Sequence, residues 1–461
     1  MRFPLALLAT VMVTAVSEAR AADAASAPRQ YRVATFQADV TIPVGHACMG
    51  GGIPDVNEII DPLFAKGFVL LGGCEQPVVL VAVDFCQLNN DAFDRWRAAL
   101  AEAAGTAPQR VMLATVHQHD APICDLRAQA LLDTVGLKNS LCDPAFHEKV
   151  VQRTSDALRK ALDTPRPVSQ FGIGQAAVER VASNRRVAGD GGNVHWGRHS
   201  ASREFDNAPE GEVDPYLKTF SLWDGDRPVV AWSSYAVHPM SHYGQGKVSA
   251  DFVGMARARR EADDPAVMQI YFTGCAGDTT AGKYNDGRPE ERAVLADRLY
   301  QAMTAAWKST RRFPLDAVAF RSAALRLPAR EGGDFDLAAM RRILADPAES
   351  RWRRNSAALG LSWRERSQAG HQIDVPCLDL GTGSAAQFII LPAETFVGYQ
   401  RTAQRLRPHS SVMVAGFGDG APGYLPTDAC YVDGYHDDYS WVQPNVEAIM
   451  TNAIRSVIEP H

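Results

Sequence analysis

Short apolar runs of strand character alternate with helix-patterned stretches along the whole length of this 461-residue chain, and that alternation restricts it to a mixed α/β body. Val69–Leu71 and Val78–Val83 flank Gly72-Gly73-Cys74-Glu75-Gln76-Pro77 and read as a hairpin; a helical stretch over Asp91–Ala104 follows. Arg110–Val116 reads as a strand running straight into His117. Leu217–Trp223 and Val229–Val237 form a second hairpin around Asp224-Gly225-Asp226, and Val267–Thr273 is a strand ending in a glycine-rich turn. Leu295, Leu299, Ala302 and Ala306 lie on one helical face. Phe388–Leu391 and Val412–Gly416 are buried-type strands with a helix between them, and a last helix covers Asn445–Val457. Residues 331–372, rich in Arg, Glu and Ser, read as an exposed helical insertion carrying no site.

The length suits one catalytic-size unit with insertions, and no internal repeat divides it. Apolar residues make up 46% and charged residues 22% of the chain, enough to bury a core. The formal net charge of −6 leaves no basic face for a phosphate backbone, which argues against nucleic acid as a partner. Arg2, the apolar run Leu5–Val16 and Ala19-Arg20-Ala21 have the order of a cleavable signal peptide over residues 1–21. The apolar run is too short to cross a bilayer, which needs roughly twenty residues. The expectation is a secreted or periplasmic domain over 22–461 with no transmembrane segment. The eight cysteines are an even number in such an oxidising compartment, which allows disulfides of unassigned pairing; none forms a Cys-x-x-Cys pair.

Several motifs fail on context. His147-Glu148 lacks a second His four residues on, no Gly-x-Ser-x-Gly elbow occurs, and Gly418-Asp419-Gly420-Ala421-Pro422-Gly423 is followed by Tyr-Leu-Pro, which cannot open the helix a dinucleotide fingerprint requires. Thr115-Val116-His117-Gln118-His119-Asp120-Ala121-Pro122 differs, because residues two apart on a strand share a face, so two imidazoles converge at a sheet rim. On its own this pair is either a metal site or a hydrogen-bonded surface pair. His238, in Val237-His238-Pro239-Met240, is another imidazole at a strand end. Glu394, in Pro392-Ala393-Glu394, either caps the following helix or ligates a metal. Tyr424, in Tyr424-Leu425-Pro426-Thr427, reads locally as a packed aromatic.

Taken in order, these segments, together with Asn184-Arg185, Ser249-Ala250-Asp251 and Gly277-Asp278-Thr279-Thr280, resemble the motifs of the neutral and alkaline, non-lysosomal ceramidases, from about Tyr31 to Tyr435. That family's pattern has Thr-His-x-His-Ser-Gly-Pro, Asn-Arg, Val-His-Gly-Thr, Ser-x-Asp, Gly-Asp-Val-Ser, Ala-Gly-Glu and Tyr-x-Thr-Thr. The resemblance implies an α/β catalytic domain of mixed β-sheets with flanking helices. It further implies one Zn2+ held by His117, His238, Glu394 and Tyr424, with His119 beside the metal and Arg185 on the substrate. Thr280 stands where the family has a serine important for activity, Tyr431 and Tyr435 lie near its following tyrosines, the second shifted by one, and Asp120-Ala121-Pro122 replaces Ser-Gly-Pro. The family's immunoglobulin-like C-terminal domain has no counterpart in the motifs of this chain.

The chemistry implied is zinc-dependent amide hydrolysis, in which metal-activated water attacks the N-acyl bond of ceramide or a related N-acyl lipid. Arg185 or a hydroxyl would steady the oxyanion, and His119 or a tyrosine of 431–435 would protonate the leaving amine. Such a substrate implies transient contact with a membrane surface. Two other readings stand beside it: a hydrolase of the same fold acting on a non-lipid amide or ester, such as an N-acyl sugar, and a secreted metal-binding protein without turnover.

Overall fold

Three parallel strand pairs, one in each of three mixed sheets, carry the architecture of the chain. The computed structural model describes residues 30–72, 74–189, 192–200 and 203–459; the leader expected at the N-terminus lies outside the described residues. Strands β1 (Tyr31–Asp39), β2 (Phe64–Leu71), β3 (Val78–Val83), β4 (Val111–Thr115) and β5 (Arg166–Val168) make the first sheet, in the order β4-β3-β2-β1-β5. Strands β6 (Gln170–Ala177), β7 (Tyr216–Asp224), β8 (Arg227–Tyr235), β9 (Met268–Thr273) and β10 (Arg311–Pro314) make the second, in the order β9-β8-β7-β6-β10. Strands β11 (Val318–Leu325), β12 (Ile373–Leu380), β13 (Ala386–Ile390) and β14 (Ser411–Ala415) make the third, in sequence order.

Both hairpins expected from the sequence form, as antiparallel β2–β3 and β7–β8. The pairs β3–β4, β8–β9 and β13–β14 are parallel. Their six strands are Val-, Ile- and Phe-rich and almost wholly buried, as strands covered on both faces must be. The crossovers are α1 (Asn90–Ala104) for the first pair, α4 (Asp251–Asp263) for the second and α8 (Val397–Leu406) for the third.

Helices α3 (Pro144–Ala161) and α5 (Pro289–Lys308) cover the sheets, and α2 (Leu126–Asp133) packs against α1. The start of α3 is set locally: Pro144 occupies the first turn, and the Asp143 carboxylate accepts from Ala145 N at 2.9 Å and Phe146 N at 3.2 Å. Its inner face carries His147, buried against Trp96 with ring centroids 6.4 Å apart. Burial lowers the His147 pKa to about 4, against roughly 6.5 in an unfolded chain. The unfolded state therefore binds the extra proton first, so stability is complete above about pH 6.5 and falls as the pH drops toward 4, by up to about 3 kcal/mol. Urea denaturation at pH 7 and pH 4.5 should show this loss, and His147→Phe should remove that part of the acid sensitivity; a His147→Phe protein with an unchanged pH dependence would overturn the assignment.

Residues 331–372 depart from expectation. Helices α6 (Leu337–Ala345) and α7 (Arg351–Gln368) do form, but α7 is a buried element rather than an exposed one, with every residue from Arg354 to Leu361 except Ser356 buried. Its polar residues are used inside the fold. Asn355 donates to Gly50 O at 2.8 Å, Ser362 Oγ donates to Asp125 at 2.8 Å, and Trp363 Nε1 donates to Trp441 O at 3.1 Å. The charged residues that made the segment look solvated pair instead with distant partners, Arg351 with Asp55 and Arg366 with Asp94. The last helices are α9 (Asp428–Val432) and α10 (Glu447–Ile458). All eight cysteines are unpaired, seven of them buried. Among the described residues, no helix is long and apolar enough to cross a membrane.

Candidate metal centre

The C-terminal ends of all six parallel strands converge on one point, the position at which open α/β sheets gather their ligands. Beyond β3 come Cys86 and Gln87, beyond β4 His117, beyond β8 His238, beyond β9 Ala276 and Asp278, beyond β13 Glu394, and beyond β14 Phe417. Hydrogen bonds tie the three rims in a ring: Thr115 N to Phe417 O at 2.9 Å, Gly416 N to Thr273 O at 2.9 Å, and Thr273 Oγ1 to Val116 O at 2.6 Å.

His117, His238 and Glu394 meet at the centre, all buried. The His117 and His238 Nε2 atoms are 2.9 Å apart, and Glu394 Oε2 lies 3.4 Å from the first and 3.6 Å from the second. Each imidazole donates its Nδ1 proton to a backbone carbonyl, His117 to Cys86 O at 2.8 Å and His238 to Ala276 O at 3.0 Å. That fixes both tautomers with Nε2 lone pairs pointing inward, as in ligating histidines. Burial, then the Arg185 charge, pushes the His238 pKa well below its usual value, so this ring is neutral. Glu394 Oε2 has no hydrogen-bond partner although it is buried. Two inward lone pairs and an orphaned carboxylate oxygen repel one another unless a cation sits among them, so the donor set fits a metal ion.

Backbone strain marks the same place. His117, Ala393 and Phe417 adopt left-handed φ of 69°, 61° and 59°, a conformation that costs non-glycine residues about 1–3 kcal/mol each. Strand alternation therefore does not explain the His117–His119 pair, because β4 ends at Thr115 and the chain turns. His119 nonetheless packs near His117 and His238, with centroids 5.4 and 5.2 Å away, and against Tyr243 at 4.8 Å. Its Nδ1 is buried and unpartnered, and burial pushes its pKa well below the usual value. Phe417 stacks flat on His117 at 4.1 Å. Similarly, β8 ends at Tyr235, short of the expected Val237, and His238 is placed by a single bridge to Thr280.

Glu394 does not cap a helix. It forms a two-residue parallel ladder in which Glu394 lies opposite Tyr424, and the following helix α8 is capped by Asp278, whose carboxylate accepts from Val397 N at 2.8 Å. Gly423, at φ +73°, precedes Tyr424; a Cβ there would lie 2.0 Å from Tyr439 O, so glycine is required for the ladder to form. Burial raises the Tyr424 phenol well above its usual range, opposed by Arg185, which donates to the Tyr424 hydroxyl at 2.9 Å.

Thr280 and Tyr435 stand further off. The Thr280 hydroxyl accepts from Gly282 N at 3.3 Å, and Tyr435 donates to Asp437 at 3.3 Å while packing on Trp196 and Phe396. Tyr431 packs on Tyr435 with centroids 6.3 Å apart.

Three residues at the site carry no local signal in the sequence. Gln87 donates to Glu394 Oε1 at 2.8 Å and accepts from the Tyr439 hydroxyl at 2.7 Å, and Trp352 of α7 stacks on Tyr439. The insertion expected to carry no site therefore contributes to the wall of a pocket of about 160 Å³ that opens over His117, His119 and Glu394.

No family model matches the sequence, and no curated protein does. Among solved structures, neutral ceramidase from Pseudomonas aeruginosa superposes with a TM-score of 0.66 at 16% identity, over 93% of this chain and 74% of that one. A ceramidase complexed with C2 superposes at 0.65 and 16% identity, over 94% of this chain and 76% of that one. The chain has the neutral ceramidase fold. In this ceramidase fold the six strand ends described above, rather than a single contiguous motif, build the candidate metal centre.

Proposed function

We propose that this chain is a zinc-dependent amidohydrolase that cleaves the N-acyl amide bond of ceramide or a related N-acyl lipid. One observation carries the reading: two buried imidazoles with inward lone pairs face an unpaired Glu394 oxygen. His117, His238, Glu394 and Tyr424 would hold the ion, since these N and O donors suit zinc. Bound there, zinc supplies a water of lowered pKa and polarises the substrate carbonyl.

The remaining work falls to the chain. Arg185, fixed by its hydrogen bond to Tyr424, brings positive charge to where the oxyanion develops. His119, neutral at rest because burial lowers its pKa, would take the proton given up by the attacking water and deliver it to the leaving amine. Gln87 holds Glu394 in place through Oε1 and leaves Oε2 free. Thr280 and Tyr435 act as positioning residues, the first through its bridge to His238 and the second through Asp437. Export through the N-terminal leader and brief contact with a lipid surface belong to the same reading; exposed Val44, Ile59 and Ile60 offer apolar contacts for the latter. A hydrolase acting on a soluble amide or ester is favoured by one feature, the small volume of the pocket.

The test is hydrolysis of a fluorescent N-acyl sphingosine and of an N-acyl sugar by protein that is chelator-treated and then reloaded. Activity on the lipid that vanishes with the chelator and returns with zinc is the expected result. Activity on the sugar alone would favour the second substrate class, and one zinc bound per chain with no turnover would reduce the protein to a metal binder.

A further inference from the structure

The wall of the pocket comes from a part of the chain whose composition concealed it. Trp352 is the second residue of α7, and its ring lies parallel to Tyr439 at 5.7 Å and 14°. On another side it meets the turn at Gly52, where an added Cβ would be 2.9 Å from the indole. Its backbone is pinned by its neighbours. Ser350 caps α7 by accepting from Arg353 N at 3.2 Å. Arg351 donates to Ser140 O at 2.7 Å and to Asp55 at 2.8 Å, and Asn355 donates to Gly50 O and Ser140 O. A side chain held on this many sides is a fixed wall, not a lid. The wall is also joined to the metal centre, because the Tyr439 hydroxyl donates to Gln87, which in turn orients Glu394.

The space the wall leaves is open to solvent and measures about 160 Å³, of the order of the enclosed cavity of about 150 Å³ that a benzene molecule fills. Its apolar lining comes from Met49, Ile123, Trp352 and the Tyr439 ring. His119 belongs to the other flank, with His238 and Tyr243. A leaving amine protonated from His119 therefore turns the acyl group toward the tryptophan wall.

Resting on the amidohydrolase reading, the geometry points to Trp352 as the residue that sets the size of the acyl group, so that among N-acyl lipids and related amides the site favours short acyl chains or a single ring over long chains.

The experiment measures kcat/KM of the zinc-loaded full chain on amides of one amine bearing acetyl, butanoyl, benzoyl, octanoyl and hexadecanoyl groups. Wild type should favour butanoyl or benzoyl over hexadecanoyl by at least tenfold. Trp352→Ala should shrink that ratio at least tenfold, while Trp352→Phe, which keeps a flat ring, should retain most of it. Equal or better use of hexadecanoyl by the wild type overturns the inference, as does a Trp352→Ala protein that loses activity equally at every length. If no amide is cleaved, the amidohydrolase reading fails, and calorimetric binding of acetyl to hexadecanoyl hydroxamates decides the wall separately. Length discrimination that disappears in Trp352→Ala upholds it, and equal binding of all lengths by the wild type overturns it.

Discussion

Replacing His238 by alanine should leave a folded protein that holds no zinc after gel filtration and hydrolyses amide substrates at least ~10³-fold more slowly. His238 is wholly buried, anchored by its Nδ1 to Ala276, and presents Nε2 to both His117 and Glu394. Losing a group that only orients a ligand already costs a metal site roughly 10–100-fold, and here the donor itself is removed. Alanine would leave a cavity, but it also relieves the repulsion between facing lone pairs. Metal-free variant and metal-free wild type should therefore melt closer together than their zinc-treated counterparts. Metal content per chain, hydrolysis and melting temperature with and without zinc check all three expectations. A variant that still carries one zinc per chain would remove His238 from the ligand set.

The largest loss of stability is expected away from the metal, at Arg257. Its guanidinium makes two parallel bonds of 2.7 Å to Asp84, whose carboxylate is fully buried and also accepts from Phe64 N at 2.8 Å. Removing one partner of a buried, doubly bonded pair strands the other charge and costs about 3–5 kcal/mol. Arg257→Ala should show that loss in urea denaturation, whereas Arg257→Met combined with Asp84→Leu should recover much of it. Asp84 follows the last residue of β3 and leads into Cys86 and Gln87, so zinc affinity should fall along with stability in the single variant. A change below 1 kcal/mol would mean that water replaces the guanidinium freely.

The contrast between what could be read and what could not has a physical basis. The buried strands announced themselves because short, nearly unbroken apolar runs leave few alternatives, and His238 and Glu394 stood just beyond their ends. Tyr424 was legible only through the order of motifs, since its environment is created by a ladder to a strand thirty positions earlier. Gln87 and Tyr439, 352 residues apart, meet only in three dimensions. Helix α7 misled because its arginines, which suggest solvent, spend their charge on Asp55 and Asp94, while Ala357, Ala358 and Leu361 of the same helix enter the core. The left-handed turn at His117 contradicted simple strand alternation, because the chain leaves β4 before the histidine.

The ring of hydrogen bonds joining the three strand rims has a consequence for how the protein is made. Thr115 and Phe417 are 302 residues apart, so this closure must await synthesis past Phe417, and such distant pairings are the slow ones. A nascent chain released before Glu394 emerges owns two imidazoles but neither the carboxylate nor the phenol. If the proposed ligand set holds, metal uptake thus waits for the segment that carries Glu394 and Tyr424, and fragments without it would lose the competition for scarce zinc.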